Sequence, residues 1–509
     1  MSGTGPAPTT YAVHAACIRG VEACPITVEV AMAGGIPGMS VVGMADTSIM
    51  ESRSRIRCAL RTAGYDIPRK SITVSLAPAD MRKAGSGLDL PIAVAVLAAS
   101  GQIPREGLDG CLIVGELGLD GSVSGVKGEV AYQLLARDSG LSLIGGRTEG
   151  HVSLPGADHG YLDDLAALRG GIAQARREFH ASAPAGARRP CISDLGDVIG
   201  QEVAKRALAV AAAGGLGMLM VGAPGAGKSM LARRMGAILP AIDERERNEA
   251  LCIHSVAGEP LDALLAGERP FRAPHHSISV AGMVGGGRPV RPGEISLAHG
   301  GVLFLDELAE FPNATLQSLR QPLEEGTVRI VRAEGAYAFP ARFQLLAASN
   351  PCPCGFLGDR EVACRCSDAA VERYRSKLGG PLADRIDLIV AVERPDPALI
   401  VRGVEGMTTE ALRVEVERAR SFRSWRLSGR EAPELSGESP FSASLKGFDG
   451  KGADALLEIA RTGHLTGRGI ARLVRIARTV ADMDESEGIG PAHVLEASML
   501  QGRRGDERI

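Results

Sequence analysis

The sequence predicts a multidomain α/β protein, with an N-terminal α+β domain, a central parallel α/β sheet and a C-terminal helical domain. Its 509 residues suffice for about three domains of ordinary size. Between residues 192 and 395, apolar strand-like runs alternate with helical segments, as in a parallel sheet covered by helices. Beyond that range the pattern becomes helical, which predicts a separate small domain at residues 396–503.

The first segment, residues 8–172, mixes short β-like runs with helical ones, so we expect an α+β domain there. The predicted strands are 27–33, 71–76 and 112–115, and the predicted helices are 48–63 and 90–100. Residues 173–191 are rich in Ala, Arg and Pro and lack apolar periodicity, which predicts a linker. In the C-terminal region, the clearest helical segments are 408–425, 452–462 and 468–483.

Composition excludes some classes of protein. A net charge of −3 and an aromatic content of 3% do not indicate a globally basic nucleic-acid binder, so any nucleic-acid contact must be local. The N-terminus lacks the pattern of a signal peptide, and the uncharged stretch 207–227 is broken by glycines and Pro224. We therefore expect a cytoplasmic protein without a membrane partner, in which the ten cysteines are reduced thiols or metal ligands.

The stretch from Gly222 to Ser229 matches the phosphate-binding loop pattern at every position. An apolar strand-like run, 218–221, precedes it, and a helical segment, 230–239, follows it, as this motif requires. Backbone N–H groups of such a loop surround the β-phosphate, the lysine reaches the β- and γ-phosphates, and the hydroxyl binds Mg²⁺. The predicted ATP-binding residues are Gly222, Ala223, Pro224, Gly225, Ala226, Gly227, Lys228 and Ser229.

A second part of the site follows the apolar run 301–305, which ends in Asp306 and Glu307. This is a Walker B pattern, in which Asp306 would hold Mg²⁺ and Glu307 would polarise the attacking water. Two acidic residues often mark only a solvated strand end, but the upstream phosphate loop favours the catalytic interpretation. A third strand, 343–349, ends in Asn350, which would orient the same water if the strands are neighbours.

Several motifs resemble those of the magnesium-chelatase-like AAA+ ATPases of the ComM/YifB group. They are 271–277, 291–307, 350–355 and 381–387, and the resemblance spans nearly the whole chain. It implies a Lon-protease-like N-terminal domain, an AAA+ domain with insertions, and a helical lid. It also implies a hexameric ring that uses Mg-ATP to drive branch migration of DNA during transformation, as the ComM proteins do.

Two other functions remain open. The chain could be the ATPase subunit of a magnesium-chelatase-like complex, although that subunit is not expected to carry the Lon-like domain or the cysteine cluster described below. It could also remodel proteins. The resemblance does not establish the substrate.

The resemblance further suggests two arginines of the ATP site. Arg385 matches the position of an arginine finger that acts on the ATP of the neighbouring subunit, whereas the alternative is a salt bridge with Asp384 or Asp387. Arg468 opens a lid helix and is the candidate for the sensor 2 residue, with Arg472 on the same helix face as the alternative.

Candidate DNA contacts occur in two places. An insertion between Lys228 and Asp306 carries a glycine-rich segment with basic residues that could touch phosphates, although it could also be a packing element. Residues 327–332 and 337–340 predict a hairpin whose arginines either contact DNA or only solvate its face. The candidates are Arg272, His275, His276, Arg288, Arg329 and Arg332.

Four cysteines are grouped as two C-x-C pairs within 15 residues: Cys352, Cys354, Cys364 and Cys366. We call them the cysteine cluster. Four thiolates on a short loop suit a tetrahedral Zn²⁺ site, and free or redox-sensitive thiols are the alternative.

The N-terminal domain holds a Lys where Lon-type peptidases carry theirs, at Lys127. The expected nucleophile position reads Leu88-Asp89-Leu90 instead, and Ser86 is displaced toward the preceding turn. We therefore do not expect peptidase activity.

Overall fold

The computed structural model describes residues 9–44, 46–83, 85–148, 151–179, 194–333, 335–359, 361–378, 382, 385–402, 406–428, 441 and 445–502. Among them, no helix has the length and apolar character needed to cross a membrane.

The N-terminal domain is built on a mixed eight-stranded sheet in the order β10-β9-β8-β5-β1-β2-β4-β3. Its strands are β1 (Thr9–Arg19), β2 (Glu22–Ala33), β3 (Gly38–Val42), β4 (Ser71–Ala77), β5 (Cys111–Ile113), β8 (Ser142–Gly146), β9 (His159–Leu162) and β10 (Arg177–Glu178), and a separate hairpin joins β6 (Glu116–Leu117) to β7 (Val123–Ser124). Its helices are α1 (Thr47–Thr62), α2 (Asp89–Ser100), α3 (Glu129–Ser139) and α4 (Ile172–Ala175).

Helix α2 forms the centre of this domain because nearly every one of its residues is apolar and buried. It packs against the long strands β1 and β2 and against α1, and the apolar side chains of these elements share one core. The predicted α+β domain is confirmed, as are the strands and helices predicted within it.

The predicted linker at 173–191 begins too early. Residues 172–175 form α4, and Arg177 of β10 pairs with Tyr161 of β9, so this segment belongs to the N-terminal sheet. Phe179 packs against the ring of Tyr161 at a centroid distance of 4.7 Å. The sequence pattern missed this strand because it is two residues long and polar. Residues 180–193 lie outside the described residues.

The central domain contains a five-stranded parallel sheet in the order β12-β15-β18-β11-β19. Its strands are β11 (Met218–Val221), β12 (Phe271–Arg272), β15 (Val302–Leu305), β18 (Gln344–Ser349) and β19 (Leu388–Ala391). The helices are α5 (Glu202–Gly214), α6 (Lys228–Ile238), α7 (Glu244–Ala257), α8 (Asp262–Leu265), α9 (Val280–Val284), α10 (Glu294–Leu297), α11 (Asn313–Ser318), α12 (Arg320–Glu325) and α13 (Asp368–Leu378). The predicted parallel α/β sheet is confirmed.

Two hairpins extend this domain. One pairs β13 (Gly285–Gly286) with β14 (Arg291–Pro292) inside the predicted insertion, and the other pairs β16 (Thr327–Arg332) with β17 (Gly335–Pro340), as predicted. A Cβ added to Gly286 would lie 3.4 Å from Nη2 of Arg332, so the two hairpins are neighbours.

The C-terminal region is helical, as predicted, with α14 (Pro397–Arg402), α15 (Thr409–Ser428), α16 (Gly450–Thr462), α17 (Gly467–Met483) and α18 (Pro491–Gln501). Helices α15 and α17 pack on α5, and their buried residues Leu412 and Leu473 belong to the same apolar core as Met218 of the sheet. The helical domain therefore packs on the central domain.

The N-terminal domain also packs on the central domain, through the first turn of α3 and helix α7. The backbone N–H of Gly128 donates to the carbonyl of Ser255 at 3.3 Å. Val130 and Ala131 share an apolar cluster with Leu251. This contact combines apolar packing with a backbone hydrogen bond.

Candidate ATP site

The phosphate loop connects β11 to α6, and its shape requires glycine at two positions. A Cβ on Gly222 would lie 2.1 Å from the carbonyl oxygen of Val392, so only glycine allows the loop to pass that strand end. Gly227, which precedes α6, has φ +94° in the left-handed region that favours glycine. The loop therefore presents backbone N–H groups at the N-terminus of an 11-residue helix, an arrangement that suits phosphate.

Lys228 is largely buried, and its ammonium group lies among oxygen atoms. Nζ donates to the carbonyls of Gly222 at 2.6 Å and Ala223 at 3.0 Å and to Oδ1 of Asn350 at 3.2 Å. Burial lowers the pKa of Lys228 below its ordinary value, and the charges of Asp306 and Glu307 oppose that shift. A phosphate anion that replaced these acceptors would favour the charged form of the lysine.

Ser229 and Asp306 form a donor pair of the kind that Mg²⁺ prefers. The Ser229 hydroxyl donates to Oδ2 of Asp306 at 2.7 Å. Neighbouring oxygens around an octahedral Mg²⁺ at 2.0–2.1 Å are about 3.0 Å apart, so the pair needs only a small adjustment to hold the ion. The two residues fit a magnesium site.

Glu307 lies just after the end of β15. Its backbone has φ 53° and ψ 49°, the left-handed conformation, which is uncommon for a residue other than glycine and is frequent at functional sites. Oε2 of Glu307 lies 3.3 Å from Nδ1 of His276, and the Glu307 side chain is 55% exposed. The carboxylate is therefore accessible and is held by a histidine of the insertion.

The strand order explains why these residues meet. Strand β18 lies between β11 and β15, with Ser349 opposite Val221 and Ala347 opposite Leu305. All three strands are parallel, so the residues that follow them emerge at one edge of the sheet. Asn350 therefore lies between the phosphate loop and the Walker B carboxylates.

A cavity of about 760 Å³, which no sequence pattern predicts, lies beside the phosphate loop. Gln201, at the start of α5, connects the two because its amide donates to the Ala226 carbonyl at 3.3 Å and to the Glu393 carbonyl. The cavity is large enough for a nucleoside. Its walls come from residues 200–203, 389–391, 393–396, 399, 498–500 and 502.

Arg385 forms an ion pair with a residue other than the two aspartates predicted as its alternatives. Its guanidinium binds the carboxylate of Glu324 on α12, and the Arg385 side chain is 33% exposed. Of the two alternatives, Asp384 lies outside the described residues. Asp387 is buried, accepts from the Gly217 N–H at 3.1 Å and binds Arg475 at 2.5 Å.

The two sensor 2 candidates differ in their surroundings. Arg472 is half-buried and donates to the Ile386 carbonyl at 3.0 Å, whereas Arg468 lies exposed on the first turn of α17. Together with Arg475, Arg472 ties α17 to the segment that directly follows Arg385. Movement of the lid helix would therefore be transmitted to that segment.

The cysteine cluster is assembled beside the phosphate loop. Sγ of Cys352 lies 3.4 Å from that of Cys354 and 3.7 Å from that of Cys364, and all four sulfurs lie within 4.8 Å of one another. Thiolates around a tetrahedral Zn²⁺ at 2.3 Å are about 3.8 Å apart, so the donor set fits zinc. Hydrogen bonds from the backbone of Arg365 and Phe356 lower the pKa of Cys354 to about 6.

The DNA candidates fall into two groups. Arg272 is half-buried, and its guanidinium binds the carboxylates of Glu294, at 2.6 and 2.8 Å, and Glu259, at 3.2 Å. His275 hydrogen-bonds Ser277 at 2.8 Å, and His276 faces Glu307. The other candidates lie exposed on the two neighbouring hairpins: Arg288, Arg329 and Arg332.

The residues compared with the Lon dyad have other neighbours. The Ser86 hydroxyl donates to Oε2 of Glu116 at 2.8 Å. A Cβ on Gly258 of the central domain would lie 3.2 Å from Nζ of Lys127, so this lysine points into the contact between the two domains. The absence of peptidase activity stays a prediction.

Three family models match most of the chain. Residues 194–399 match "Magnesium chelatase, subunit ChlI", residues 28–144 match "Subunit ChlI of Mg-chelatase", and residues 406–501 match "Magnesium chelatase, subunit ChlI C-terminal". The N-terminal domain itself thus matches a model named for the chelatase subunit. The expectation that this domain separates the chain from a chelatase subunit is therefore not supported.

Full-length similarity points to one group of relatives. "Uncharacterized protein YifB" of Escherichia coli is 40% identical over 497 residues, which cover 95% of this chain and 96% of that protein. "Competence protein ComM" of Haemophilus influenzae is 38% identical, with 95% and 96% covered. "Magnesium-chelatase 67 kDa subunit" of Heliobacterium mobile is 28% identical over 193 residues, which cover 32% of this chain and 29% of that subunit.

Proposed function

The chain belongs to the magnesium-chelatase-like AAA+ ATPases of the YifB/ComM group, and we propose that it is a ring-shaped motor that couples Mg-ATP hydrolysis to movement of DNA. The convergence of the phosphate loop, the Walker B carboxylates and Asn350 at one sheet edge carries the ATPase part of this proposal. The DNA part is supported by the exposed arginines of the two hairpins and by the full-length similarity to a competence protein.

In the proposed reaction, each residue of the site has one task. Backbone N–H groups of the phosphate loop and the Lys228 ammonium group bind the phosphates, and the cavity beside Gln201 accepts the nucleoside. Ser229 and Asp306 would hold Mg²⁺, which would supply positive charge beside the phosphate oxygens. Glu307 polarises the attacking water, and Asn350 orients it.

We also assign a role in the reaction to His276, because it contacts the proposed catalytic carboxylate of Glu307 directly. A histidine at 3.3 Å can hold Glu307 away from the water or align it, according to the position of the insertion. We assign His276 to positioning Glu307 and leave it, with Arg272 and His275, outside the DNA surface.

The proposed DNA surface consists of exposed arginines on the two hairpins. Arg329 and Arg332 are exposed on β16, Arg288 lies in the turn between β13 and β14, and the exposed Arg291 begins β14. Guanidinium groups grouped in this way can bind backbone phosphates without reading the base sequence. Since the net charge of the chain is −3, this local cluster is where we expect phosphate binding.

We place Arg385 at the boundary between subunits of a homo-oligomer, a hexamer by the resemblance. In a single chain, Arg385 binds Glu324, and a partly exposed ion pair of this kind contributes little stability. Exchange of Glu324 for a γ-phosphate of the neighbouring subunit would therefore cost little. Arg468 on the exposed first turn of α17 is assigned to sensor 2, and the cysteine cluster to a structural Zn²⁺.

The test measures the ATPase rate with single-stranded DNA, duplex DNA, a four-way junction, unfolded polypeptide, or porphyrin. We expect DNA, and the junction most strongly, to raise the rate because the arginine cluster binds phosphates. The double variant Arg329→Ala/Arg332→Ala should lose this stimulation, while Arg245→Ala, which removes an exposed arginine outside the hairpins, should keep it. Stimulation by porphyrin or polypeptide in place of DNA would identify a chelatase subunit or a protein remodeller.

A further inference from the structure

Glu129, His151 and His159 form a compact cluster in the N-terminal domain, apart from the ATP site. Their potential ligand atoms all lie within 4.8 Å of one another. Glu129 is the first residue of α3, His159 is the first residue of β9, and His151 lies in the segment between them. The three side chains are only 13%, 10% and 4% exposed, respectively. Two imidazoles and a carboxylate are therefore brought together in a nearly buried place.

The surrounding residues hold this cluster in position. The buried Gln133 amide donates to Oε1 of Glu129 at 3.4 Å and to the Val152 carbonyl at 2.6 Å. Nε2 of His151 lies 2.9 Å from the Ser153 hydroxyl, and the Phe179 ring stacks on His151 at 3.5 Å. Metal-binding histidines are characteristically oriented by such partners on the ring nitrogen that does not bind the metal.

The cluster also has a buried nitrogen that faces the carboxylate and a space beside it. In the described part of the chain, the buried Nδ1 of His159 has one neighbouring acceptor, Oε1 of Glu129 at 3.2 Å. Glu129 and His159 line a cavity of about 10 Å³, close to the size that holds one water molecule. An ion bound by this nitrogen and the Glu129 carboxylate together would stabilise the domain.

We propose that Glu129, His151 and His159 bind a divalent transition-metal ion, with Zn²⁺ as the representative probe. Oε1 of Glu129 and Nδ1 of both histidines would be the protein ligands, and a water in the cavity would be the fourth. Nitrogen and oxygen ligands around a tetrahedral zinc at 2.0–2.1 Å are about 3.3 Å apart, close to the 3.2 Å between Nδ1 of His159 and Oε1 of Glu129. Two histidines and one carboxylate are a recurring ligand set for such ions.

Such an ion would stabilise the surface through which the N-terminal domain contacts the ATPase. Glu129 lies in the first turn of α3, where the Gly128 N–H donates to the Ser255 carbonyl at 3.3 Å and the Val130 N–H to the Ser255 hydroxyl at 3.5 Å. The ion would link this turn to β9 and to the segment before it. Its role would be to fix the docking geometry of α3.

The experiment measures zinc in the full-length protein before and after treatment with a mercurial reagent that displaces zinc from thiolates only. We expect the wild type to retain about one Zn²⁺ per chain after the treatment, whatever the occupancy of the cysteine cluster. Glu129→Gln and His159→Gln should retain almost none. The matched control His14→Gln, which removes an exposed histidine of the same domain, should retain as much as the wild type.

Two results would overturn the proposal. One is a wild-type protein that loses all of its zinc to the mercurial reagent; this measurement needs no variant and is unaffected if a substitution prevents folding. The other is retention of the same zinc content by folded Glu129→Gln. In either case, the three residues would be a hydrogen-bonded cluster without a metal.

Discussion

Gly355, in the turn between the two pairs of the cysteine cluster, packs against the phosphate loop, and Gly355→Ala should weaken nucleotide binding. An added Cβ would lie 2.7 Å from Cδ and 2.8 Å from Cγ of Pro224, closer than real Cβ atoms come. Because the Pro224 ring is rigid and belongs to the phosphate loop, while the flanking cysteines constrain Gly355, the loop must shift to relieve the contact. The cysteine cluster thus supports the loop from one side.

A matched control separates the effect of this collision on nucleotide binding from the effect of backbone strain. Gly355 has φ +85°, so alanine there also costs about 1–2 kcal/mol of backbone strain. Gly267 has φ +81° and no atom within 4 Å of an added Cβ, so Gly267→Ala carries the strain without the collision. Overpacking costs typically about 1–3 kcal/mol. If the loop must return to its original position to bind phosphate, this cost is added to the free energy of binding. The dissociation constant of Gly355→Ala for nucleotide should then be roughly 5- to 150-fold higher than that of Gly267→Ala.

The assay is calorimetric titration of both variants with a non-hydrolysable ATP analogue, together with their thermal unfolding. We expect similar unfolding temperatures and a clearly weaker affinity for Gly355→Ala. An affinity within about twofold of that of Gly267→Ala would refute the proposed support of the phosphate loop.

The other predictions concern the reaction and the metals. Lys228→Ala should abolish tight ATP binding, whereas Glu307→Gln should keep ATP bound and hydrolyse it slowly, because only polarisation of the water is lost; a wild-type rate for Glu307→Gln would exclude this role. Arg385→Ala should bind ATP but lower turnover by about 10³-fold, and mixing it with Lys228→Ala should restore part of the activity if the finger acts in trans; no recovery in demonstrated mixed rings would contradict this. The cysteine cluster should hold about one Zn²⁺ per chain, released by the mercurial reagent; four freely titratable thiols after a zinc-replete preparation would exclude the site.

The parts of the ATP site that are encoded in one continuous segment could be predicted from the sequence. The phosphate loop and Glu307 each follow an apolar strand, and the chemistry of each motif depends on residues that are adjacent in the chain. The sequence predicts that Asn350 lies near the phosphate loop and Glu307 only if their strands are neighbours in the sheet. The structure supplies that strand order.

Features assembled from distant segments could not be predicted. The cavity beside Gln201 needs the end of the sheet and the last helix, and no local pattern marks it. Arg272 resembled a DNA contact because its partners, Glu259 and Glu294, come close only in the folded chain. For the same reason, the contacts of Arg385 with Glu324 and of His276 with Glu307 had no signal in the sequence.

Branch migration of a four-way DNA junction, followed in real time with purified protein and Mg-ATP, tests the central claim most directly. We predict ATP-dependent conversion of the junction to products by the wild type and no conversion by Glu307→Gln, which should still bind ATP. An active ATPase that leaves the junction unchanged, or conversion that proceeds equally with Glu307→Gln, would contradict a motor that moves DNA by hydrolysing ATP at this site.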